Sequence, residues 1–384
     1  MIKNLLGLTL GVLSYKATFK ILKKLSPNDS LTKRVIYSAT PIAITGVVSK
    51  TVLDEDAGLY VCSGALGGGA FDYFFSQANA ENLKLLKSNL SLSSLKSIDE
   101  PQLMKLVVDK YNLENGEKIR FFWNSEIEDD SIDDWYPAST VKYLASAGAL
   151  QRLSELGFDS RNTEITFHYK GGRNKVSLPF SKILDDGIIK SDNIAYNQLV
   201  QIAGHKRLHD TILKDYDLAL SKPYLKDRWQ NLTGSRHFDA PKITVRQGET
   251  VKTLEPSSHQ SPRFCPDRSS CARLSGFTDS MFDLVMTNKH GLSPENKEEL
   301  LRVLSSPKPR GNTFLDAILS QITNYNFVVY NKPGFAINYY SDSILLVDPS
   351  KKVAFAISAV GYKGRNSLTN LGTALGELIN SGAF

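Results

Sequence analysis

The hydrophobic pattern divides the chain into an apolar start, a helical middle and a strand-rich end. Residues 1–34 scatter Lys3, Lys16, Lys20, Lys23, Lys24, Lys33 and Arg34 among Leu, Ile and Phe, a basic amphipathic pattern. Two apolar stretches follow, Val35–Leu53 and Gly58–Phe75, separated by Asp54, Glu55 and Asp56. From Ala80 to about Gly116 the spacing is helical and polar-rich. Over Pro101–Tyr111 it puts Leu103, Leu106, Val107 and Tyr111 on one side, and 81–117 is therefore expected to be a helical linker. Lys118–Trp123 and Ile165–Tyr169 read as strands and Glu126–Asp134 as an acidic turn region. Between them Tyr136–Lys142 forms a loop feeding a buried Ala/Leu-rich helix. Near the C-terminus, Phe327–Tyr330, Ser343–Val347 and Val353–Val360 read as strands, with turn signals at Pro333-Gly334 and Asp348-Pro349-Ser350, and Leu368–Leu378 reads as a closing helix. Strands at both ends with helices between predict an α+β domain over 118–384, an antiparallel sheet packed with a helical layer.

Composition adds a partner class. The 384 residues can bury a large core, so one sizeable catalytic domain with extra segments is expected. Net charge is +6, from 46 basic and 40 acidic residues, and the excess is concentrated before residue 35. That placement suggests a membrane-facing N-terminus rather than a nucleic-acid partner, since no basic-aromatic array occurs later. Basic residues before Val35–Leu53 and acidic ones after it fit a span with a cytoplasmic N-terminus. The second stretch holds Asp72, Gly64, Gly67, Gly68 and Gly69, and is compatible with a second span, a packed hairpin or a small-residue helix. Ala78-Asn79-Ala80 resembles a signal-peptidase site, but the apolar run begins far from Met1, so residues 1–80 are expected to anchor the chain. Cys265 and Cys271 lie six apart in a Pro-, Ser- and Arg-rich stretch, where a disulfide and two free thiols both remain open. His205 and His209 form H-x-x-x-H without a third ligand or a glutamate, so two exposed histidines are expected, with no metal and no cofactor.

The chemistry begins at Ser139. A serine at the entry of a helix with Lys142 three residues on, on the same face, is an alcohol beside an amine that can take its proton. The spacing alone is unspecific, for Ser30/Lys33, Ser93/Lys96 and Ser305/Lys308 share it. Downstream come Ser191-Asp192-Asn193-Ile194-Ala195-Tyr196-Asn197-Gln198-Leu199 and then Lys332-Pro333-Gly334.

S-x-x-K, S-D-N and K-x-G in this order resemble the signature of the class A β-lactamases and penicillin-binding proteins, and from about residue 118 to the C-terminus the chain resembles the class A β-lactamase catalytic domain. The resemblance implies a β-lactamase/transpeptidase-like fold. Ser139 would be the acylated nucleophile and Lys142 its base. Ser191 would relay a proton to the departing nitrogen, and Lys332 would supply positive charge that lowers the basicity of Lys142. Asn193, Asn197, Gly334 and Phe335 would line the substrate site, the Asn193 amide holding an acylamide side chain and the Ser139 and Phe335 N–H groups forming the oxyanion hole. Gly291–Asn296 leading into Lys297–Leu304 resembles the helix that precedes the family's final strands.

Two departures bear on function. The hydroxyl that binds the substrate carboxylate in the family's K-T-G is replaced by Pro333, which has no side-chain donor. The deacylating glutamate of the family's D-R-W-E loop corresponds to Gln230 after Asp227-Arg228-Trp229, and a neutral amide cannot accept a proton from water. Glu249, Glu255, His237 and His259 follow as substitute bases or ordinary loop residues. Thr233–Ser275 is long for a connecting loop, as lids and binding loops are. The expected function is a serine hydrolase acting through an acyl-enzyme on a small-molecule β-lactam or peptidoglycan-like amide, with its catalytic domain periplasmic or extracellular. A D,D-peptidase-like protein with slow deacylation and a catalytically silent cleft-binding module are the alternatives.

Overall fold

The computed structural model describes residues 85–89, 104–123, 137–169, 175–220, 239–258, 270–308, 312–336, 339–362, 366 and 368–384, all within the unit Glu81–Phe384. The expected anchor over 1–80 and the acidic turn Glu126–Asp134 lie outside the described residues. No helix among the described residues is long and apolar enough to cross a membrane.

A six-stranded sheet forms the backbone of the domain. Its strands are β1 (Leu85–Asn89), β2 (Met104–Asn112), β3 (Lys118–Trp123), β10 (Val328–Ala336), β11 (Tyr339–Asp348) and β12 (Val353–Tyr362), in the order β1-β3-β2-β12-β11-β10. All pairs are antiparallel except β1 with β3. The helix expected over 81–117 is corrected here, since Leu85–Asn89 and Met104–Asn112 are strands. The cause is burial on both faces. Val107 and Tyr111 of β2 face one core, while Met104, Leu106 and Val108 face the other, so the strand shows a nearly continuous apolar run instead of alternation.

Helices cover both faces. On one, α7 (Thr313–Ser320) and α8 (Thr369–Ser381) bury Phe314, Ile318, Leu371, Leu375 and Ile379 against Ile344, Leu346, Phe355 and Ile357. The other face belongs to the larger core, built on α1 (Lys142–Leu156), α2 (Phe180–Ile188), α3 (Asn193–Ala203), α4 (His205–Thr211), α5 (Leu274–Met286) and α6 (Pro294–Ser305). Every residue of α1 from Lys142 to Gln151 is buried, as for a central helix surrounded by others, and Gly157 at φ 75° ends it.

A second sheet, β5-β4-β7-β8, comprises β4 (Glu164–His168), β5 (Lys175–Pro179), β7 (Lys242–Gln247) and β8 (Thr250–Leu254). A short pair joins β6 (Ala219–Leu220) to β9 (Ser270–Cys271). Thr233–Ser275, expected as one long loop, therefore contributes a hairpin to this second sheet, with Ile243 and Val245 buried on one side and polar residues opposite. Pro333 and Gly334, expected in a turn, lie inside β10. β10 is the outermost strand of its sheet, where proline's missing N–H is tolerated.

Candidate active site

Ser139 is half-buried in a 3-10 turn, Ala138–Val141, that runs directly into α1. Ala138 is held at φ 47°, in the left-handed region that non-glycine residues rarely occupy. The sheet pins this turn. Ser341 Oγ on β11 donates to Pro137 O at 3.0 Å and lies 2.8 Å from Thr140 Oγ1, while Thr140 N donates to Pro137 O at 3.0 Å. Gly334 on β10 is pressed against the same turn. A Cβ there would lie 2.5 Å from Thr140 Oγ1, 2.6 Å from Pro137 O and 2.7 Å from Thr140 N. The glycine of the third motif thus lets the edge strand approach the serine turn.

Lys142 opens α1 and is fully buried. Its Nζ donates to Ser191 O at 2.5 Å, Asn193 Oδ1 at 2.6 Å and Ser191 Oγ at 3.3 Å, and stands 5.9 Å from the Tyr196 ring centroid. Ser191 is also in a left-handed conformation, φ 58°, just before α3. Asp192 caps α3 by accepting from Ala195 N at 2.8 Å. The S-D-N turn therefore does two things at once, since its middle residue caps the helix while its outer two meet Lys142.

From the opposite side, Lys332 on β10 is 1% exposed and its Nζ donates to Ser191 Oγ and to Pro333 O, both at 2.9 Å. The Ser191 hydroxyl accepts from two amines, which leaves its own proton directed elsewhere. Three segments far apart in sequence thus converge on one hydroxyl. Asn197 lies one turn beyond Asn193 and is fully buried, and Phe335 is 45% exposed beside Gly334. Gln230, His237, His259 and Cys265 lie outside the described residues. Glu249 and Glu255 are exposed on and just after the β7–β8 hairpin.

Behind β10 lies a polar cluster absent from the sequence motifs. Asp342 on β11 pairs in register with Pro333 and is 1% exposed. Its Oδ2 accepts from Asn312 Nδ2, and Tyr340 donates to Asn312 Oδ1 at 2.5 Å, while the Asn312 side chain caps α7. Asp342 Oδ1 has no hydrogen-bond partner among the described residues, nor has Asn331 Nδ2 nearby. Burial pushes the Asp342 carboxyl up to about 7, against the opposing pull of Asn312, Lys332, Asn331 and Lys308. Lys308 is pushed down to about 8 by burial, with Asp342 acting the other way. Its Nζ donates to the carbonyls of Val303, Leu304 and Ser306 at the end of α6.

The histidine pair is corrected from exposed to buried, at 3% for His205 and 4% for His209. His205 Nε2 lies 2.7 Å from Leu220 O, His209 Nδ1 lies 2.9 Å from His205 O, and Leu220 N donates to His209 Nε2 at 3.2 Å. Both rings hold β6 in place. No group of three or more His, Cys, Asp or Glu side chains that could hold a metal occurs among the described residues.

Solved structures similar to the chain include a β-lactamase from Burkholderia vietnamiensis, at 14% identity over 75% of this chain and 95% of that one, with a TM-score of 0.48. A class A β-lactamase from Mycobacterium abscessus matches at 13% identity, 73% and 94% coverage and a TM-score of 0.47. PBP-A matches at 12% identity, 78% and 98% coverage and a TM-score of 0.49. Among curated proteins, none matches the chain. The sequence model described as the Beta-lactamase enzyme family matches residues 112–381, well over half of the chain and the whole stretch that brings the three motifs together. The chain therefore belongs to the β-lactamase enzyme family.

Proposed function

We propose that the protein is a serine hydrolase that forms an acyl-enzyme on Ser139 with a β-lactam or a related cell-wall amide. The observation that carries the reading is the Ser191 hydroxyl accepting from both Lys332 and Lys142, the latter three residues after Ser139 where the 3-10 turn enters α1. In this reading the neutral Lys142 amine takes the Ser139 proton as the oxygen attacks the carbonyl carbon. Ser191 then gives its proton to the departing nitrogen, the C–N bond breaks and the Ser139 ester forms. Water later cleaves that ester and restores the hydroxyl. Lys332 favours the neutral form of Lys142 and attracts an anionic substrate. The Ser139 and Phe335 N–H groups hold the oxyanion, and Asn193 and Asn197 line the acyl side. Residues 1–80 anchor the chain, with the catalytic domain outside the cytoplasm.

A slow-releasing, D,D-peptidase-like activity is the second reading, and Pro333 favours it. At that position on β10 the chain offers no hydroxyl to the substrate, and Gln230 offers no base for water. Incubation of the purified protein with a fluorescent penicillin tests both readings. A covalent label that is lost in Ser139→Ala, while the variant keeps its circular dichroism spectrum, is expected. Persistence of the label over hours favours slow release, and its rapid loss with product appearing favours turnover. An equally strong label in Ser139→Ala overturns the assignment of the nucleophile.

A further inference from the structure

The cleft strand β10 carries Lys332 on one of its faces and rests against a buried acid on the neighbouring strand. Asp342 lies opposite Pro333 in the register, so it is the diagonal neighbour of Lys332, and its carboxyl is shielded from water. The groups around it are known from each packed element. Lys332 and Asn331 come from β10, Tyr340 and Asp342 itself from β11, Lys308 from the segment after α6, and Asn312 and Asp316 from the start of α7. Asn312 Nδ2 occupies one carboxyl oxygen, and the other has no hydrogen-bond partner among the described residues. A buried acid with one oxygen unsatisfied contributes little to stability and is an unexpected choice for a packing position. Its position is explained by the charges on either side of it.

We propose that Asp342 is a positioning residue for Lys332, a counter-charge behind the cleft strand whose ionisation sets the electrostatic potential along the line from Lys332 through Ser191 to Lys142. The inference rests on the acylation of Ser139 proposed above. Lys332 reaches Ser191 Oγ at 2.9 Å and Lys142 reaches it at 3.3 Å, so any charge that offsets Lys332 is felt at the amine that must be neutral to take the Ser139 proton. An ionised Asp342 offsets Lys332 and favours the protonated form of both amines. A neutral residue 342 leaves the positive charge of Lys332 uncompensated, which favours loss of a proton from Lys142 at lower pH and from Lys332 likewise. The carboxyl, held at about 7, changes charge in the range where such an enzyme works.

The test is the pH profile of Ser139 acylation by a fluorescent penicillin, for the full-length protein and for Asp342→Asn. The amide keeps an oxygen for Asn312 and removes only the charge. The alkaline limb, where Asp342 is ionised in the wild type, is expected to move to lower pH in Asp342→Asn, by about one unit, the shift a single nearby opposite charge produces. The two proteins should acylate at similar rates below pH 6, where Asp342 is itself neutral, and diverge above pH 7. Asp342→Leu keeps the bulk but removes the hydrogen bond to Asn312, and it should show the same displaced alkaline limb even if its overall rate falls. An alkaline limb that stays in place in both variants, whatever happens to the amplitude, overturns the proposal and leaves the acylation reading intact. Absence of any Ser139 label in the folded wild-type protein overturns the acylation reading and this proposal with it.

Discussion

A methyl group at residue 334 would fall within 3 Å of the Thr140 amide nitrogen and the Pro137 carbonyl oxygen, both backbone atoms of the turn that carries Ser139. Neither can rotate away as a side chain could, so Gly334→Ala must push β10 and the serine turn apart. The expected result is a loss of about 1–3 kcal/mol of stability, read as a melting point several degrees lower, and a drop in Ser139 labelling of at least tenfold. A variant labelled at the wild-type rate would contradict the close approach. At this scale the sequence exposed only residues that announce themselves by spacing. Ser139, Lys142, Ser191, Asn193, Lys332 and Gly334 stand in short motifs, and the structure brings Lys142 and Lys332 to the Ser191 hydroxyl, Asn193 to Lys142, and Gly334 against the turn that carries Ser139. Ser341 and Asp342 belong to no motif, and their meaning lies in a register that pairs them with Gly334 and Pro333 across β10 and β11. The signal was a Ser-Asp-Ser run set between two tyrosines and an Ile-Leu-Leu-Val stretch. The histidine spacing misled because i, i+4 pairs also arise when two rings cap a neighbouring strand from inside the core.

Between elements, the sheet is tied to α5 by a buried ionic cluster. Asp109 on β2 is fully buried and accepts from Arg120 Nε and Nη2, each at 2.6 Å, and from Thr278 Oγ1 at 2.6 Å, with Lys118 Nζ at 3.1 Å. Arg120 Nη2 also donates to Asp279 at 2.6 Å. Burial pushes the Asp109 carboxyl up, but Lys118, Arg120 and Thr278 together outweigh it and hold the acid below the usual carboxylate range. A carboxyl held down by folding stabilises the protein above its unfolded value, near 4, and that stabilisation disappears as the pH falls through the folded value. Asp109→Ala leaves Arg120 buried beside a hole and is expected to lose about 3–5 kcal/mol at pH 7. In urea titrations at a series of pH values, the gap between wild type and variant should close below pH 4. A gap independent of pH would mean that packing, not charge, makes the difference. Element type was legible in Lys118–Trp123, which alternates between buried and half-buried positions and matches β3 residue for residue. β2 was misread because both of its faces are covered, and the β7–β8 hairpin was missed because β8, lying at a sheet edge, is mostly exposed and polar.

For the molecule as a whole, the main sheet is made from the two ends of the domain. β2 and β3 come first and β10, β11 and β12 last, with β2 joined to β12 along nine register pairs. The intervening helices and second sheet occupy the other layer, and Ser139 stands at the seam, since its turn follows β3 in sequence and touches β10 and β11 in space. A fragment comprising residues 81–384 keeps the entire sheet and is expected to melt cooperatively, whereas residues 113–384, which lack β1 and β2, are expected to be protease-sensitive throughout. Cooperative melting of the shorter fragment would show that the sheet's centre is dispensable.

That junction of first and last strands also sets an order of events at the ribosome. The early strands can pair only with one another as they leave the exit tunnel, and the mate for the other edge of β2 is among the final segments to be translated. Long-range pairing of this kind is slow and leaves apolar edges uncovered meanwhile. A message truncated before Val328 would yield a helical half with an unclosed sheet and an unbraced Ser139 turn, because β10 and β11, which press against it, would never have been made.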